Sequence, residues 1–231
     1  RLFFFYRLYK YVLLHRKGYS KIIISGLSIS TIKQIKRFAK KTNIDLYYNC
    51  VEWYSPEEFE LGRYARAFKE NDITNTKLID NQIKVISIST FLQDYYTSKK
   101  IATIRIPVVM DIGSIDCKKE HVYGKIVFLY AGSPGKKDYL ADIIAGFAML
   151  PNEIKDQVEL RLIGIREIDL FNECNARPEE VELIKAQLKC IGRLPNSEVR
   201  KHLKSADYTL FLRKSEQRYA KAGFPTKFVE S

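Results

Sequence analysis

Apolar residues along this chain come in two rhythms. Short, nearly unbroken runs alternate with longer stretches in which apolar positions recur every three or four residues. Runs at 21–25 (KIIIS), 44–48 (IDLYY), 84–88 (KVISI), 126–131 (IVFLYA), 158–163 (VELRLI), 190–191 and 208–212 (YTLFL) predict buried strands. Between them, 31–42 places Ile32, Ile35 and Phe38 at helical spacing, and helices are predicted over 90–98, 138–149, 178–188 and 196–204. Residues 2–15 (LFFFYRLYKYVLLH) also read as helical. Ser55 followed by Pro56 and two glutamates predicts a helix over 55–62, and Ser89 caps 90–98. Residues 101–112 read as extended, and 113–124 lack any period and read as a linker or crossover. Strands alternating with helices on both sides of that stretch predict an α/β fold with two parallel-sheet domains, 1–112 and 113–231.

Size and charge narrow the field less than this pattern does. The 231 residues suffice for two such domains. The chain opens on Arg1 and stops at Ser231, a few residues into a predicted helix, and reads as part of a longer protein. Net charge is +12, with 19 basic and 10 acidic residues in 1–112 against 20 and 17 in the remainder. The basic first half fits an anionic partner such as a membrane face, and it fits equally a solvated lysine-rich surface. No nucleic-acid motif or basic repeat is present, so no nucleic-acid partner is expected. Cys50, Cys117, Cys174 and Cys190 form no CxxC pair, and with three histidines they show no metal-ligand spacing, so no metal is expected. Such thiols read as reduced, which predicts a cytoplasmic location. No apolar run reaches the roughly 20 residues that a membrane span needs.

Two segments carry candidate chemistry, and both follow predicted strands. The first is the end of the chain, 213–231 (RKSEQRYAKAGFPTKFVES). It crosses a polar loop and enters a new helix at Pro225 and Thr226. The free N–H groups and dipole of such a helix start favour a phosphate. Glu230, one turn beyond Thr226, faces the same side and suits a pair of hydroxyls such as those of a ribose. Phosphate donors beside a hydroxyl acceptor point to a nucleoside diphosphate. The second segment is 130–138 (YAGSPGKKD), where Gly132 and Gly135 allow close backbone approach and Lys136 and Lys137 add charge. It matches neither GxGxxG nor GxxxxGK[ST], which argues against dinucleotide and P-loop sites.

The second half resembles the donor-binding domain of family 4 of the retaining glycosyltransferases. The resemblance lies in YAGSPGKKDYLADIIAGF, IGRLPNSEVRKHLKSADYTLFLR and FPTKFVE, and in the first half in YYNCVEWYSPEEF, KVISISTFLQDYY and IRIPVVMD. It covers nearly all the chain and is nearest to the branch that builds bacterial surface polysaccharides. It implies the GT-B fold, two Rossmann-like domains facing each other, both incomplete in this chain. It implies that Glu230 holds the donor ribose, that Pro225, Thr226 and Lys227 meet the diphosphate, that Lys137 and Lys136 neutralise it, and that Gly132 and Ser133 pack over it. The family needs no DxD-bound metal and no cofactor beyond the nucleotide sugar, and no DxD occurs here. Two positions depart from the family. Ala222 stands where the first glutamate of its E-x7-E motif belongs, and Ser133 where it has an arginine; Glu216 and Arg213 could supply those charges. Lys137, Arg213 and Glu230 are the expected catalytic groups.

In the first half, Glu52 and Trp53 follow a strand and precede a predicted helix. A carboxylate beside aromatic rings suits a saccharide or lipid-linked acceptor, and equally an exposed glutamate next to a tryptophan at a domain edge. The aromatic and basic stripe of 2–17 fits packing on a neighbouring sheet, with contact to an anionic membrane as a secondary role. A non-catalytic GT-B-like partner protein that has lost sugar contacts is the rival to a glycosyltransferase.

Overall fold

The computed structural model describes residues 7, 10, 11, 14, 15, 18–109, 124–133 and 138–224. The chain divides into two compact units, Arg1–Val109 with Ser215–Phe224, and Met110–Lys214 with Pro225–Ser231. Each is an α/β layer structure built on a four-stranded parallel sheet.

In the first unit, β1 (Lys21–Ile24), β2 (Asp45–Cys50), β3 (Lys84–Ser87) and β4 (Thr103–Arg105) lie in sequence order, all parallel. Helix α1 (Ile29–Thr42) begins where Ser28 accepts a bond from the Thr31 N–H, and it ends at Asn43 in the left-handed conformation. Lys40 and Lys41 in its last turn oppose the helix dipole. Its buried residues Ile32, Ile35 and Ala39 join Ile24, Leu46, Tyr48, Cys50 and Val85 from the strands. Helix α3 (Thr90–Ser98), capped by Ser89 as expected, adds Leu92 and Tyr96 to the same core.

The helix expected over 55–62 is not formed. Two 3₁₀ turns, Pro56–Glu58 and Gly62–Tyr64, stand there instead. Ser55 does start the first turn through a capping box with Glu58, but Phe59 and Ala65 leave the helical region and stop both turns. Helix α2 (Arg66–Ile73) and the π-helical turn Thr74–Leu78 follow, where the apolar pattern gave no signal. Asn75 of that turn is buried and is held by polar bonds. Its Oδ1 accepts from Tyr96 Oη at 2.8 Å and from Cys50 Sγ at 3.4 Å, and its Nδ2 donates to Asn71 Oδ1 at 3.2 Å. Burial pushes the Cys50 thiol up to about 12, so it stays protonated as a donor. The short helix α9 (Arg218–Ala222), which the sequence reads as loop, belongs to this unit, and Ala222 is fully buried in its core.

In the second unit the strand order is β7 (Leu188–Gly192), β6 (Val158–Ile163), β5 (Ile126–Ala131), β8 (Tyr208–Thr209), again all parallel. β5 and β6 coincide with the expected runs. Both are central and carry buried residues on both faces; β5 is apolar throughout, whereas Glu159 and Arg161 interrupt the apolar run of β6 and pair with each other. Helices α4 (Leu140–Ala148), α6 (Glu167–Asn172) and α7 (Pro178–Leu183) contribute to one core with Tyr130, Leu160 and Leu162; α5 (Asn152–Lys155) is a single turn before β6. Helix α8 (Asn196–Ser205) packs through Val199 and Leu203 on the other core, with Val127, Leu129 and Ile163.

Arg7, Lys10, Tyr11, Leu14 and His15 are helical and exposed; the rest of the 2–15 stretch lies outside the described residues. No helix among the described residues is long and apolar enough to cross a membrane. The polar hold on the π-helical turn is testable. Asn75→Ala leaves the buried Tyr96 hydroxyl short of its acceptor, and urea denaturation should show a loss of about 1–3 kcal/mol.

Candidate functional site

Parallel sheets open their ligand crevices at the carboxyl ends of strands, where the order reverses. In the second unit the chain steps from β5 to β6 to β7 and then returns to place β8 on the far side of β5. That return makes the β5 and β8 ends the switch point. Both segments chosen from the sequence start there. Lys214, just past β8, lies with its ammonium 4.8 Å from the centre of the Tyr139 ring, at the far end of the loop that follows β5.

Three glycines shape the sheet edge. Gly132 N–H donates to the Ile163 carbonyl at 3.0 Å, Gly164 N–H to the Gly192 carbonyl at 2.6 Å, and Gly192 N–H to the Ile165 carbonyl at 3.0 Å. The hydrogen bonding therefore continues past the ends of β5 and β6. At Gly164 φ is +98°, and a Cβ there would sit 2.3 Å from the Gly132 carbonyl oxygen. Only glycine permits that approach.

Above these glycines lies a cavity of about 390 Å³. Its apolar walls are Ile163, Leu194, Val199 and Leu203, and its polar groups are Ser133, Arg193 and Asn196 with the backbone of Gly132 and Gly164. A few polar groups on apolar walls suit a small ligand with a flat apolar face and a polar rim. Helix α8 forms one side, and a charged network lies against it. Glu159 is buried, and Arg161 Nη2 reaches its Oε1 at 2.6 Å. Burial opposes ionisation of Glu159, but hydrogen bonds from Lys189 and Arg161 outweigh it and hold its carboxyl below the usual range. Arg161 Nη1 also lies 3.2 Å from His202 Nδ1 and donates to Ser205 Oγ at 3.1 Å, both on α8. With a guanidinium donating, His202 Nδ1 is the acceptor and the ring is neutral.

The structure places the expected residues unequally. Gly132 and Ser133 line the cavity. Arg213 is half-buried just past β8. Glu216 is exposed, accepts from Ser215 Oγ at 3.0 Å, and belongs to the part of the chain that packs with the first unit. Lys136, Lys137, Pro225, Thr226, Lys227 and Glu230 lie outside the described residues. In the first unit Glu52 is exposed, but Trp53 is only 4% exposed. Its ring packs on Tyr95, and the Arg218 guanidinium lies 4.5 Å from its centre. The indole is thus a packing surface within the first unit.

Arg193, Asn196 and Gly164 were not singled out by the sequence. The signal was present in IGRLPN, a strand end, a Gly-Arg pair and a helix start in succession. Gly164 gave only an isolated glycine after a strand.

No protein-family model matches the chain, and no curated protein sequence does. Its fold matches solved structures. The lipopolysaccharide outer core galactosyltransferase WaaB gives a TM-score of 0.58 at 16% identity, covering 96% of this chain and 56% of that one. Anabaena HepE in complex with UDP gives 0.64 at 14% identity, covering 96% and 59%. Sucrose-phosphate synthase of Thermosynechococcus elongatus gives 0.59 at 15% identity, covering 98% and 58%. The fold is that of the GT-B glycosyltransferases. The chain spans 56% to 59% of the length of these three structures, which agrees with GT-B domains present in part.

Two outcomes follow. Gly164→Ala combines a left-handed φ with a backbone clash and should cost about 1–3 kcal/mol in thermal or urea unfolding. Burial and the Arg161 charge lower the His202 pKa below its usual 6.5. Stability from a neutral His202 is therefore complete above about pH 6.5 and lost as pH falls through the lower folded value. Urea midpoints measured from pH 7.5 down to 5 should fall for the native chain and fall less for His202→Gln.

Proposed function

We propose that this chain forms part of a glycosyltransferase that moves a sugar from a nucleoside diphosphate donor to a saccharide or lipid-linked acceptor. The observation that carries the reading is the cavity at the carboxyl edge of the second sheet, in a fold shared with glycosyltransferases of known structure. The base would lie between the apolar walls, with Arg193 and Asn196 on its rim, and the diphosphate over Gly132 and Ser133. Lys136, Lys137, Pro225, Thr226 and Lys227 would complete the phosphate site, and Glu230 would hold the ribose hydroxyls, as the family resemblance implies.

The chemistry follows from charge. As the bond to the sugar breaks, the diphosphate gains negative charge. Lysine and arginine side chains and helix-start N–H groups fixed beforehand stabilise that charge. Lys137 and Arg213 are the side chains proposed for this, with no metal and no protein nucleophile, and with the anomeric configuration retained. We further propose surface-polysaccharide assembly on the cytoplasmic side, with the basic first half near an anionic membrane.

One observation favours a second reading, a non-catalytic partner. Ala222, at the position of the family's first motif glutamate, is fully buried in the core of the first unit, and its carbonyl accepts from Ser89 Oγ at 2.9 Å. A carboxylate has no place there.

Calorimetric titration with UDP, GDP and ADP separates the readings, beginning with UDP because it occupies the HepE structure. Binding of one diphosphate, weakened about tenfold to a hundredfold by Arg193→Ala or Glu230→Ala, is the expected result. If none of the three binds the intact protein, the donor-site reading falls. Binding without release of UDP from UDP-sugars would favour the partner protein.

A further inference from the structure

Residues 52–55, which follow β2, are held by side chains. Asn71 and Asn75 donate through their Nδ2 groups to the Glu52 carbonyl, at 3.2 and 3.4 Å. Tyr54 N–H donates to Asn71 Oδ1 at 3.0 Å, and Ser55 N–H to Glu58 Oε1 at 2.8 Å. Arg218 completes the set. Its Nε and Nη2 donate to the Tyr54 carbonyl at 3.1 and 2.5 Å, and Nη2 lies 3.0 Å from Asp72 Oδ1. The same Asp72 oxygen accepts the Trp53 indole N–H at 3.0 Å, and the guanidinium covers the Trp53 ring. One residue on, Tyr219 N–H donates to Ser55 Oγ at 3.3 Å.

A single arginine thus meets a carbonyl, a carboxylate and an aromatic face. That combination requires a planar, multiply donating cation; an ammonium could satisfy the carboxylate but not all three. Helix α9, which carries Arg218, has five residues and is too short to persist without such contacts. Its partners on the loop side come from residues 53–55 and from Asp72. The loop lies at the carboxyl end of β2, where parallel sheets receive ligands, and Glu52 is its exposed carboxylate.

We propose that Arg218 is a positioning residue. It locks residues 52–55 in the conformation that presents Glu52 to the acceptor. The functional part of this inference rests on the reading of Glu52 as an acceptor contact. Trp53 is the sole tryptophan, so its fluorescence reports directly on the ring that Arg218 covers.

The test uses the full chain as native protein, Arg218→Ala and Arg218→Lys, with residue-resolved hydrogen exchange, tryptophan emission and UDP titration. In both variants exchange at Tyr54, Ser55 and Tyr219 should accelerate about tenfold, while amides of β2 and β3 keep their native rates. Trp53 emission should move to the red. UDP affinity should stay within about twofold, because the donor residues belong to the second unit. Arg218→Lys keeps a charge beside Asp72, so the proposal stays testable if the alanine variant fails to fold. Uniform acceleration through the first unit would make Arg218 merely structural and overturn the proposal, as would unchanged exchange and emission. Failure of the native protein to bind UDP sinks the donor reading instead, and leaves the loop to be judged by exchange and fluorescence.

Discussion

The carbonyl of Gly132 leaves no room for a side chain at residue 164. That contact sets the edge of the second sheet. It brings the backbone beyond β5 against the backbone beyond β6, and it extends the hydrogen-bond ladder past the strands. The cavity opens above the join because two glycines leave their side of it bare. Helix α8 can then form the opposite wall with Val199 and Leu203, held from below by Arg161. The site is therefore a product of backbone geometry first and of charge second.

The parts of the fold legible in the sequence are those governed by burial. β5 and β6 are sandwiched between two cores, so the apolar run marks the bounds of β5, and apolar residues on either side of Glu159 and Arg161 mark those of β6. α1 shows one apolar stripe and caps of the usual kind, and its sequence signal and its structure differ by two residues at the start. What sequence reading missed is held by polar bonds. The stretch RAFKENDITNTKL carries α2 and the π-helical turn, yet its decisive residue is Asn75, whose value lies in partners 21 and 25 positions away. α9 reads as loop because its five residues have no period; contacts with residues 53–55, Asp72 and Ser89 make it a helix.

The candidate site divides along the same line. Gly132 and Ser133 were found because a Gly-Lys loop after a strand is a local pattern. Arg193 and Asn196 escaped because their meaning depends on which strands are neighbours. Trp53 shows the converse. An aromatic after a strand suggests a stacking platform, but its ring is closed by Arg218, a residue 165 positions further on. Local chemistry could not say which way the side chains of that loop would face.

Ala222 closes the core of the first unit, yet it is made after the described residues of the second. During synthesis from the amino end, strands β1 to β4 leave the ribosome without the segment that seals them. At about 5–20 residues per second, the wait for Ser215–Phe224 is on the order of ten seconds. The first unit must persist through that interval as an unsealed sheet while the whole second sheet is produced. Its maturation is thus timed by the domain that follows it, because Ser215–Phe224 is made only after the second sheet.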